Sequence, residues 1–174
     1  MNIVLIGMRG SGKTTVGKIL AQKMGKEFIE MDELLTRKAG LTIPEIVAKY
    51  GWGKFRDIEE EITDEVARRD NIINASGGGA VTREKNIIKL KKSGVLVWLQ
   101  AGVDTLVSRT GEDAGRPPLV EGRSRRGDME MTLRERIPLY QQAADLTINT
   151  ENKTPEEVAD LVIKLLAVRG FTGD

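Results

Sequence analysis

Ile3-Val4-Leu5-Ile6-Gly7-Met8-Arg9-Gly10-Ser11-Gly12-Lys13-Thr14 is the stretch whose reading decides the fold of this 174-residue chain. A short apolar run passes directly into Gly-x-x-x-x-Gly-Lys-Thr, and Thr14–Met24 then sets Val16, Ile19, Leu20 and Met24 on one helical face. A buried strand that ends in a glycine loop and opens a helix turns successive backbone N–H groups toward one point, where the helix N-terminus adds its positive end. Phosphate oxygens fit that point. The stretch is therefore read as a nucleoside triphosphate site, with Gly10, Ser11, Gly12 and Thr15 around the phosphates, Lys13 reaching the β- and γ-phosphates and the Thr14 hydroxyl a ligand of Mg²⁺.

Working outward, apolar runs recur between helical patterns at Phe28-Ile29, Ile72-Ile73, Val95–Leu99 and Leu146–Ile148. With Ile3–Ile6 they predict an α/β fold, a five-stranded parallel sheet between two helical layers. Thr154-Pro155-Glu156-Glu157 carries an N-cap, a proline at the first helical position and a capping-box glutamate, and Val158, Leu161, Val162, Leu165 and Leu166 follow as an apolar stripe. Thr42-Ile43-Pro44-Glu45 repeats that signal for a short helix that ends before Gly51.

Composition narrows the chemistry. With 40% hydrophobic residues the chain suits one domain spanning residues 1–174, and its 27 basic and 26 acidic residues leave no field that draws nucleic acid or an anionic membrane. Cysteine and histidine are both absent, so disulfides, thiolate metal sites and His-based zinc sites are excluded, and any proton acceptor is a carboxylate, a perturbed lysine or the substrate. No apolar run approaches a membrane span, and a cytoplasmic monomer is expected.

A phosphate loop alone leaves motors, GTPases and small-molecule kinases open. Asn152-Lys153-Thr154-Pro155 lacks the aspartate of a guanine-reading run and no Asp-x-x-Gly occurs, which argues against a GTPase. A kinase needs a second pocket beside the γ-phosphate, because phosphoryl transfer is mainly positioning and charge stabilisation. Glu30-Met31-Asp32 ends the second strand and puts two carboxylates on the sheet edge, one for metal-bound water and one to accept an alcohol proton. Gly51-Trp52-Gly53-Lys54-Phe55-Arg56 joins an aromatic wall to an arginine, and Ser76-Gly77-Gly78-Gly79 exposes backbone N–H groups after the third strand. Every basic residue between Ser93 and Asn152 is arginine, the side chain suited to phosphate and carboxylate, although Arg123, Arg125 and Arg126 read as a solvated surface among interspersed acids.

In this order the loop Gly7–Thr15, Asp32, Phe55-Arg56 with Glu59, Gly77–Gly79, Arg116-Pro117 and Arg136-Ile137-Pro138-Leu139-Tyr140 resemble the shikimate kinases over nearly the whole chain. The resemblance implies a P-loop kinase fold with a substrate-binding helical region at about 32–69 and a mobile lid at about 111–132. It implies transfer of the γ-phosphoryl of ATP, with Mg²⁺, to the 3-hydroxyl of shikimate. By resemblance Lys13, Asp32 and Arg116 are catalytic; Arg56 and Arg136 bind the substrate carboxylate; Gly77, Gly78 and Gly79 contact the substrate; Glu59 orients Arg56; Arg109 stacks near the adenine; and Arg116 closes over the phosphates. Glu30 stands where the family generally has a metal-holding aspartate, Pro117-Pro118 where one proline is commoner, and Asn152-Lys153 departs from the adenine-side pattern. Another small-molecule kinase, of gluconate type, and an ATP-binding module without turnover remain as alternatives.

Overall fold

Every side chain of the first apolar run is buried, which is possible only for a strand covered on both faces. The computed structural model describes residues 1–111 and 122–171. In it β1 (Asn2–Ile6) is the middle strand of a parallel sheet that also contains β2 (Glu27–Glu30), β3 (Ile72–Ala75), β4 (Gly94–Gln100) and β5 (Leu146–Asn149), in the order β2-β3-β1-β4-β5. The register pairs Leu5 with both Ala75 and Val97, so β1 and β3 end side by side and β4 runs on past them to Gln100.

Alternation along β1 sets the layers. Ile3 and Leu5 face α1 (Lys13–Met24) and α7 (Pro155–Val168), packing with Val16, Leu20, Val158, Val162 and Leu166. Val4 and Ile6 face α4 (Glu84–Ser93), α5 (Val103–Thr110) and α6 (Arg125–Ala143), through Leu90, Leu106, Leu133 and Tyr140. Each fully buried leucine or isoleucine stabilises this arrangement by about 1.5–3 kcal/mol relative to exposure. Beyond the β2 edge, α2 (Met31–Ala39) and α3 (Ile43–Ala67) enclose a third apolar cluster around Leu35, Ile46, Phe55 and Ile62.

Both expected capping boxes form: Thr42 with Glu45 opens α3, and Thr154 with Glu157 opens α7. The short helix expected to stop before Gly51 does break there, at φ 80 and ψ 170, but the chain re-enters helix at once and α3 continues to Ala67. Residues 112–121, including Arg116, Pro117, Pro118 and Leu119 of the expected lid, lie outside the described residues. The far end of that lid needs a correction. Residues 125–132 begin α6, because the Ser124 hydroxyl accepts the Gly127 N–H at 3.0 Å and Met129 and Thr132 are buried. Among the described residues no helix is long and apolar enough to cross a membrane.

Candidate active site

The carboxyl ends of parallel strands are where open α/β sheets hold ligands. Here they frame a cavity of about 490 Å³ lined by Gly10–Val16, by Glu30 and Asp32 after β2, by Ser76 and Gly78 after β3, and by Arg109, Thr150 and Lys153 from the β4 and β5 side. The sheet thus brings the phosphate loop, both candidate carboxylates and one of the three glycines to a single opening.

The loop keeps its shape through glycine. Gly10 and Gly12 have φ of 86° and 97°, a region in which an L side chain is strained, and Gly12 caps α1 directly. Lys13 folds back along the loop, its Nζ donating to the carbonyls of Gly7 at 2.7 Å and Met8 at 2.9 Å. The ammonium is therefore held inside the loop curve, where a phosphate bound to the N–H groups would meet it. Thr14 Oγ1 donates to Glu30 Oε1 at 3.0 Å. The longer glutamate side chain thus reaches the hydroxyl expected to hold the metal. Hydroxyl and carboxylate are both hard oxygen donors, the type Mg²⁺ takes. Among the described residues no group of three His, Cys, Asp or Glu side chains could hold a metal ion.

The three glycines form the second half of the site, and at Gly77 and Gly79 the reason is space. None of Gly77, Gly78 and Gly79 has positive φ. A Cβ on Gly77 would lie 2.6 Å from Glu59 Oε2 and 2.9 Å from Asp32 Oδ1, and one on Gly79 would overlap the Arg56 guanidinium. A Cβ on Gly78 would sit 3.4 Å from both Arg136 Nη1 and the Gly7 carbonyl. Asp32, Arg56, Glu59 and Arg136, drawn from α2, α3 and α6, therefore converge on one turn that abuts the phosphate loop. Arg56 and Arg136 are not among the residues lining that cavity; Arg136 lies against Gly78 and Arg56 against Gly79.

Electrostatics within this cluster are tight. Arg56 Nη1 donates to Glu59 Oε1 at 2.8 Å, and the Glu59 side chain is only 2% exposed. Burial pushes the Glu59 carboxyl above the usual range, opposed by the adjacent Arg56. Burial also lowers Arg136, and the positive charge of Arg56 lowers it further. Two guanidinium groups share one region, and an anion placed between them would relieve their repulsion. Because Glu59 must be ionised to hold Arg56 and its titration is displaced upward, acidification should weaken use of an anionic substrate held by Arg56 before ordinary carboxylates protonate. The acid limb of kcat/KM for that substrate is expected to fall above the ordinary carboxylate range, and Glu59→Gln should lack that limb. An unaltered profile in the variant would remove Glu59 from the explanation.

Arg109 is fixed more firmly than its spacing suggested. Its Nη1 donates to Thr150 Oγ1 at 3.0 Å and its Nη2 to the Thr150 carbonyl at 3.2 Å, with longer contacts to the Gly10 and Ser11 carbonyls. Thr150 belongs to the site as well and escapes a motif search, since only the strand order brings it to the loop. Of the expected aromatic wall Phe55 turns inward, 1% exposed, half-buried Trp52 meets it edge-on at 5.5 Å, and the Arg56 guanidinium lies over both rings. Those rings orient the arginine. Arg126 pairs with Asp104 at 2.5 Å, in keeping with a solvated charged surface.

Comparison with known proteins is consistent across sequence and structure. The family model for shikimate kinase matches residues 9–167. The shikimate kinase of Thermodesulfovibrio yellowstonii is 43% identical over 164 residues, spanning 94% of this chain and 93% of the relative. The solved shikimate kinase of Acinetobacter baumannii in complex with shikimate superposes with a TM-score of 0.93 at 37% identity, covering 98% of this chain and 95% of the other. That of Aquifex aeolicus gives 0.85 at 29% identity, over 99% and 100%.

Proposed function

The chain belongs to the shikimate kinase family and is an ATP-dependent kinase of shikimate, and we propose that transfer to the 3-hydroxyl occurs between the phosphate loop and the triple-glycine turn. The observation that carries this placement is the convergence of Arg56 and Arg136 on Gly78-Gly79, next to Asp32 and against the loop carbonyl of Gly7. A small ring acid with hydroxyls around it needs an arginine fork at one end and a proton acceptor at the other.

In this reading the N–H groups of Gly10–Thr15 hold the ATP phosphates and Lys13 neutralises the β- and γ-phosphates. Thr14 would hold Mg²⁺ directly and Glu30 through water, and the ion would neutralise charge on the phosphate oxygens. Arg56 and Arg136 take the shikimate carboxylate, with the backbone of Gly77–Gly79 alongside. Asp32 holds the ring hydroxyls and accepts the 3-hydroxyl proton as that oxygen bonds to the γ-phosphorus and the bond to the β-phosphate oxygen breaks. Glu59 keeps Arg56 aimed at the acid group. Arg109 lies on the adenine side, and Arg116, outside the described residues, is assigned the closing arginine's place by resemblance. The enzyme is placed in aromatic amino acid biosynthesis, as a monomer in the reducing environment that a cysteine-free chain fits.

A coupled ADP-release assay with ATP, Mg²⁺ and a panel of shikimate, gluconate and nucleoside monophosphates tests the reading. Shikimate should be turned over with kcat/KM at least about 10²-fold above the others, the margin expected when a site's charged groups are left unpaired by the wrong substrate. Equal turnover of gluconate or a nucleotide would overturn it. Loss of shikimate turnover on chelating Mg²⁺, restored by adding it back, tests the metal separately.

A further inference from the structure

Tyr140 heads the fully buried side chains by size among the described residues, and no role above uses it. Its ring stacks on Trp98 of β4, centroids 5.5 Å apart and planes 24° from parallel. Ring and stack need no oxygen, and an unbonded phenol hydroxyl would be costly at this depth. The hydroxyl donates to the Gly78 carbonyl at 2.6 Å. Gly78 lies against both Arg136 and the phosphate loop: its Cβ position is 3.4 Å from Arg136 Nη1 and 3.4 Å from the Gly7 carbonyl oxygen.

Arg136 lies one turn before Tyr140 on the same face of α6, and both are buried. With its O–H directed at the Gly78 carbonyl, the phenol oxygen keeps lone pairs that face the guanidinium. Burial pushes the phenol up to about 12, and the positive charge of Arg136 opposes that push. The group stays a donor throughout the working pH range. Between the two residues stands Pro138, which has no N–H to give the Arg134 carbonyl, so α6 lacks one of its own ties at the turn joining Arg136 to Tyr140.

We infer that Tyr140 is a positioning residue for the acid end of the substrate, its hydroxyl locking the Gly78 backbone and the Arg136 guanidinium into one fixed geometry. The inference rests on the reading of Arg136 as a carboxylate ligand. A side chain that only filled the core would be replaced by phenylalanine without consequence for substrate choice.

Tyr140→Phe keeps the volume and the Trp98 stack and removes only the oxygen. Its KM for shikimate should rise about 10-fold, with kcat within about threefold and the KM for ATP unchanged. Its preference for shikimate over the analogue with the carboxylate reduced to an alcohol should fall by about the same factor. Trp98→Phe, which weakens the stack and leaves the hydroxyl, should lower the Tm and leave both quantities as in the parent. An unchanged KM and preference in Tyr140→Phe, or an equal rise in Trp98→Phe, overturns the inference. Arg136→Ala measured beside them separates the premise: if it retains the preference for the acid, the carboxylate reading fails first. If it loses that preference while Tyr140→Phe does not, the positioning role alone is wrong.

Discussion

Lys13→Ala lowers kcat by about 10³-fold and weakens ATP, whereas Asp32→Asn lowers kcat by about 10²–10⁴-fold and leaves the ATP Kd within a factor of about three. The two losses differ because the side chains occupy different halves of the site. Lys13 bonds the carbonyls of Gly7 and Met8, so truncating it removes a charge from the phosphates and a tie from the loop that cradles them. Asp32 lies across the opening, its Oδ1 close to Gly77, on the side away from the loop glycines. The asparagine keeps the shape and one acceptor oxygen, and forfeits the charge and the proton acceptor. Stopped-flow nucleotide binding beside steady-state turnover separates these effects. A rate for Asp32→Asn within about threefold of the parent would leave Asp32 as neither base nor substrate holder.

What was legible in the sequence follows from how local each signal is. The loop, its strand and its helix are contiguous, and glycines at positive φ leave a fixed spacing, so residues 3–24 could be read directly. The five strands announce themselves through apolar runs, and both capping boxes through four-residue patterns. Strand order has no such signature. That β3 and β4 flank β1, bringing Ser76–Gly79 and Arg109 to opposite sides of the loop, is a long-range packing outcome. The triple glycine was visible, but its cause was not: the side chains that crowd a Cβ at Gly77 and Gly79 come from α2 and α3, separate stretches of the chain. Trp52 and Phe55 show the same limit from the other side, since an aromatic pair beside an arginine reads equally well as a substrate wall or a support until burial decides. Tyr140 was quoted within a motif, yet its partner Gly78 lies 62 residues earlier.

Arg56→Ala and Arg136→Ala each weaken shikimate binding by about 2–5 kcal/mol while ATP binding barely changes, because truncating one arm of a buried charge contact leaves the substrate carboxylate partly unpaired. The reduced alcohol analogue should bind the parent poorly and the variants little worse. Variants that penalise the alcohol as heavily as the acid would show the arginines acting on another group. Their effects on the free protein should part company. Without Arg56, the Glu59 carboxylate is left buried with Asp32 as a like-charged neighbour, an arrangement that costs about 3–5 kcal/mol when an ion-pair partner is removed. Without Arg136, the repulsion between the two guanidinium groups disappears and Glu59 retains its 2.8 Å bond to Arg56. Arg56→Ala should therefore lose much more thermal stability than Arg136→Ala at equal loss of shikimate affinity, and the gap should close as acid protonates Glu59. The sign follows from burial: the folded state already favours the neutral carboxyl, so the variant's penalty is present while Glu59 is ionised and fades as pH falls through its raised pKa. Equal Tm losses at neutral pH would mean that Glu59 draws its compensation from a source other than Arg56.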